Sequence, residues 1–115
     1  MNDSVAQTEP PFHLLLEQDE VGVTQTALNL LIADEAHQGE IRGLARDVLA
    51  AIASASQEGP VLAVSLTPPQ MKIAHTALRV LLDDLRREHE EEREILRRVL
   101  DKLPDEHTMR AIELD

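Results

Sequence analysis

The 115-residue chain has no cysteine, tryptophan or tyrosine, a single phenylalanine (Phe12), and half as many basic residues (11) as acidic ones (22). Without cysteine there is no disulfide framework, no zinc–thiolate site and no thiol nucleophile. The scarcity of positive charge leaves a net charge of −11, which opposes contact with nucleic-acid phosphates and gives no attraction to anionic lipid. With one aromatic ring in the chain, bases have almost nothing to stack on. Arg42, Arg46, Arg97, Arg98 and Lys102 could form a small basic strip, but Glu40, Asp47 and Asp101 dilute it. Nucleic acid is therefore not expected as a partner.

Glycine is also sparse, at positions 22, 39, 43 and 59, so no glycine-rich phosphate loop exists. The sequence has no G-x-G-x-x-G, no G-x-x-x-x-G-K-[ST], no G-x-S-x-G and no H-E-x-x-H. Apolar runs such as 30–33 and 48–53 stop far short of the ~20 residues a membrane-spanning helix needs. Residues 1–11 carry neither a basic segment nor an apolar core, and Pro10 and Pro11 close them. They read as a disordered polar tail rather than a secretory signal. A cytoplasmic protein without membrane contact is expected.

What is present is ordinary globular composition, 43% hydrophobic and 29% charged. One domain is expected at this length, able to bury roughly two-thirds of its unfolded surface. Within it the chain resembles itself. A shift of fifty lays Thr26-Ala27-Leu28 on Thr76-Ala77-Leu78, Leu30-Leu31-Ile32 on Val80-Leu81-Leu82, and Asp34 on Asp84. Upstream, Phe12, Leu14 and Leu16 fall on Leu62, Val64 and Leu66. Beyond about residue 40 the best shift becomes fifty-one, pairing Leu44 with Ile95, Arg46 with Arg97, and Val48-Leu49 with Val99-Leu100. The expectation is two tandem units, 12–56 and 60–104, related by a pseudo-twofold.

Each unit reads as strand, helix, helix. Residues 12–16 and 61–66 alternate with period two, as half-buried strands do. Thr67-Pro68-Pro69-Gln70 places Thr three residues before Gln, with Pro at the first helical position, and marks a helix start. In the first unit Asp19 is the corresponding, weaker cap. Met71, Ala74, Leu78, Leu81, Leu82 and Leu85 follow as a helical stripe, matched by Val21, Thr24, Leu28, Leu31 and Ile32. A second stripe follows each. One inserted residue in a continuous helix would turn the downstream stripe by ~100°, so each helix pair is read as a hairpin. The breaks are placed at Gln38-Gly39 and near 88–91. Such hairpins would bring Asp34 to Arg46 and Asp84 to Arg97. A third, C-terminal strand is expected at 109–114.

The predicted fold is a mostly helical α+β domain, two β-α-α units covering one face of a small antiparallel sheet. Its strand edges would be open, which points to self-association as a homodimer or to a protein partner. The function expected is a non-enzymatic interaction or regulatory module. The alternative is a small ligand- or metal-binding enzyme using a cleft between the units. It would draw on Asp34 and His37, whose i, i+3 spacing shares a helical face, together with His75 and Asp84. The second unit has Arg87 where the first has His37, and the acidic run from Asp83 to Glu94 is interleaved with arginines. No cofactor, metal site or catalytic residue is therefore assigned.

Overall fold

The computed structural model describes residues 12–33, 39–85 and 89–104. Along the chain run β1 (Phe12–Glu17), α1 (Gln18–Ala33), α2 (Gly39–Ala53), β2 (Ser56–Glu58), β3 (Val61–Leu66), α3 (Pro68–Asp84) and α4 (Glu90–Lys102). Among the described residues the architecture is α+β, four helices with one three-stranded antiparallel sheet in the order β1-β3-β2. The two predicted strands pair with Leu14 opposite Val64, Phe12 opposite Leu66 and Leu16 opposite Leu62. Because side chains alternate across a strand, that register puts all six on one face. Leu14, Leu16, Val64 and Leu66 are buried, and Phe12 and Leu62 pack partly buried against them.

The sheet has a strand that the sequence reading did not foresee. Residues 109–114 lie outside the described residues, and the third strand is β2, which pairs with β3 through a two-residue turn at Gly59-Pro60. Gly59 has φ 62°, and a proline after it excludes a type I′ turn, which needs positive φ at both positions. Gln57 Nε2 donates to the carbonyl oxygens of Gly59 (2.9 Å) and Val61 (3.2 Å), bracing the turn. Ser56, Gln57 and Glu58 are all exposed, so no hydrophobic alternation announces this strand.

Both helix pairs are hairpins. Leu85 ends α3 in extended conformation (φ −79°, ψ 140°), α4 begins at Glu90, and each second helix packs on the first. The cross-hairpin contact is not the expected ion pair. Asp34 lies outside the described residues, and Arg97 turns to Glu94 (3.9 Å) on its own helix rather than to Asp84. Arginines do cross each hairpin, but to carbonyls. Arg42 Nε donates to the Ile32 oxygen (3.1 Å), and Arg93 Nη1 to the oxygens of Leu85 (3.0 Å) and Leu82 (3.4 Å). The last carbonyls of a helix lack intrahelical partners and carry partial negative charge, so they attract the guanidinium.

The start of α3 is as read from the sequence. Thr67 Oγ1 accepts from the Gln70 backbone N–H (3.3 Å), and the Thr67 N–H donates to Gln70 Oε1 (3.0 Å). Thr67→Ala removes one of these bonds and is expected to destabilise the fold by ~1 kcal/mol, read as a lower urea midpoint at unchanged slope. Asp19, by contrast, does not cap α1. The helix begins at Gln18, so Asp19 sits inside its first turn. The equivalent of the Gln70 bond is made by Glu20, whose Oε1 accepts from the Glu17 N–H (2.8 Å).

The core lies between the sheet's inner face and the helices. Leu28, Leu78, Leu96, Val64, Leu66, Ala45, Ala74 and Val99 are wholly sequestered from solvent. The tandem duplication is not confirmed by this architecture, in which β2 falls between the two proposed units and has no counterpart among the described residues.

Candidate functional site

The residues suggested by the sequence do not form one site. Asp34 and His37 lie outside the described residues. His75 and Asp84 are both on α3, nine residues apart, which in an α-helix means opposite faces and a rise of ~13 Å. His75 is half-buried, whereas Asp84 is exposed and lines a surface depression that His75 does not reach. Among the described residues no group of three or more His, Asp or Glu is placed to hold a metal ion. No described helix is long and apolar enough to cross a membrane.

The sequence reading missed two polar constellations. On the open sheet face, His13 and Ser65 are register partners, with Ser65 Oγ 3.2 Å from His13 Nδ1. A serine nucleophile needs a base that is itself oriented by a third group, and donors for the oxyanion. This exposed pair lines neither of the two main depressions, so it is a cross-strand hydrogen bond.

The second constellation is buried. Glu20 is 0% exposed. Its Oε1 accepts from the Glu17 N–H and from Lys102 Nζ, which also donates to the Leu15 carbonyl (2.8 Å). Arg98 Nη2 binds Asp19 Oδ2 (2.7 Å), with its Nε 3.8 Å from Glu20 Oε2. The Asp19 hydrogen bond raises the Arg98 pKa, against a partial desolvation and with help from the charges of Asp19, Glu20 and Glu17. The arrangement has a topological use. β1 is an edge strand, and the Leu15 carbonyl and Glu17 N–H are satisfied by side chains of α4 and α1 rather than by β3. Those two groups, at the end of β1 next to α1, are therefore taken and do not bond a second chain there.

The exposed apolar side chains of the helices meet at the seam between α1 and α3. The two helices pack directly and leave a depression of about 280 Å³ lined by Ala27, Leu30 and Leu31 from one and Ala77, Val80 and Leu81 from the other. Each residue of the first set stands fifty positions before one of the second. Leu30 and Val80 are each 52% exposed, the most of any large hydrophobic residue among the described ones, while the alanines are buried beneath them. Asp84 closes one end of the depression. Among the described residues it has no base in ion-pair range, since Arg79 turns to Asp83 and Arg97 to Glu94.

A second depression of about 440 Å³ lies between the start of α1 and the β2–β3 turn, lined by Leu16, Val21, Leu62 and the amides of Gln18 and Gln57. It has no ionisable lining residue, so it lacks the groups that acid–base chemistry requires.

No family model, curated protein or solved structure matches the chain.

Proposed function

We propose that the chain is a non-enzymatic protein-interaction module that meets its partner through the α1–α3 seam. One observation carries this reading. Leu30 and Val80 stand half in solvent on either side of a shallow depression floored by buried alanines. Paired aliphatic residues around a small-residue floor form the kind of groove that accepts protein side chains. The volume falls below the ~300–1,000 Å³ usual for small-molecule sites, and its one ionisable group, Asp84, has no acid–base partner there. That weighs against the ligand- or metal-binding enzyme drawn from His75, Asp34 and Asp84.

The expectation is tested by placing a photoreactive residue at position 30 or 80 in cells, with position 47, exposed on α2, as the control. Discrete cross-linked species are expected from 30 and 80 and not from 47. Equal or weaker cross-linking at the seam would remove this surface as the docking site and the proposed function with it.

A further inference from the structure

We infer that the occupant of the α1–α3 seam is a cationic amphipathic helix, whose aliphatic residues fill the depression while a Lys or Arg side chain meets Asp84. The inference rests on reading the seam as a docking surface and adds the chemistry of what docks there.

Shape argues for a helix. The depression follows α3 from Ala77 to Asp84, two helical turns or ~10 Å. Over that length a docked helix presents two or three side chains of one face, at i, i+3 or i+4, and i+7. Ala27 and Ala77, both 2% exposed, form a floor low enough for a backbone and its leucines to approach. A strand would instead need unpaired backbone groups to bond, and two helices offer none along their sides.

Charge argues for the cation. The chain carries a net −11, and Asp84 lines the end of the apolar floor, with no base in ion-pair range among the described residues. A second copy of the chain would bring another −11 against it. A helix with a basic outer face brings the opposite sign, so the same field that repels a copy steers such a partner in.

The probe is a synthetic helix of about 18 residues with leucine at i, i+3, i+4 and i+7 and lysine elsewhere, set beside one with glutamate in place of lysine. Binding to the full chain is followed by fluorescence anisotropy at ~0.15 M salt. Saturable binding of the lysine peptide alone is expected. Val80→Gln should weaken it about tenfold by removing apolar contact, and Asp84→Asn about threefold. Both positions are exposed, and Leu30→Gln gives an independent second variant. Circular dichroism checks that each variant is folded.

Three results would overturn the inference. If Val80→Gln and Leu30→Gln both bind like the parent chain, the peptide is held by general negative charge and not by the seam. Equal binding of the glutamate peptide would show that charge takes no part. Light scattering that reveals a dimer abolished by Val80→Gln would put a second copy in the groove. That last result leaves the docking surface standing, whereas unlabelled cross-linking positions 30 and 80 would remove it, so the two readings fail separately.

Discussion

Lys102→Met is expected to destabilise the fold by about 3 kcal/mol, and Glu20→Gln added to it is expected to restore most of that loss. The reason lies in how Glu20 is held. Its carboxylate is 0% exposed, and one oxygen takes both Lys102 Nζ and the Glu17 N–H. The other oxygen is buried with no hydrogen-bond partner, and the nearest guanidinium, Arg98, is 3.8 Å away and engaged with Asp19. Removing Lys102 leaves the buried carboxylate with only the more distant Arg98 as counter-charge, and it frees the Leu15 carbonyl. Removing one partner of a buried pair is far more damaging than removing both.

The double variant separates charge from hydrogen bonding. Glutamine at position 20 keeps an oxygen for the Glu17 N–H, as Gln70 does for the Thr67 N–H, and carries no charge to compensate. Urea unfolding of the four proteins measures this directly, with the slope held constant as evidence that the unfolded states are alike. A Lys102→Met midpoint equal to that of the parent would show that the lysine does not balance Glu20. In that case the end of β1 would be held by α1 alone.

The sequence carried the apolar part of this fold well and the polar part poorly, for a physical reason. Strand and helix periodicity record which side chains leave water, so Leu14, Leu16, Val64 and Leu66, and the stripes from Leu28 and Leu78, could be read from spacing alone. The capping box at Thr67 and Gln70 was equally legible, because its partners are three residues apart. Glu20 was not, since a glutamate in a first helical turn looks like a solvated, dipole-favouring charge. Only the long-range approach of Lys102, 82 residues away, makes its burial tolerable. The hairpin contacts show the same limit. The expected pair of Asp84 with Arg97 does not form, and the arginines that cross, Arg42 and Arg93, choose backbone carbonyls, which periodicity does not register. As for the seam, the stripes leave out Leu30 and Val80, which puts both off the buried face, but only the packing of α1 on α3 sets them beside one depression.

The second large effect bears on the duplication. Leu28→Ala and Leu78→Ala are each expected to destabilise the protein by ~3 kcal/mol, and by amounts that agree with one another. Both side chains are 0% exposed, so each truncation loses buried methyl groups and leaves a cavity that close-packed neighbours fill only in part. The absolute loss follows from burial alone. The equality does not, because the penalty at fixed chemistry varies with how far the surroundings relax, and two unrelated core sites have no reason to relax alike. Related units do. Leu28 and Leu78 stand fifty residues apart in helices that begin with the same N–H to Oε1 bond, at Glu17 to Glu20 and at Thr67 to Gln70. Both helices end beneath an arginine of the helix that follows. Two copies of one packing unit would call for matched losses, read as equal falls in the urea midpoint. A difference well beyond ~1 kcal/mol would mean that the two halves share a sequence rhythm without sharing a core.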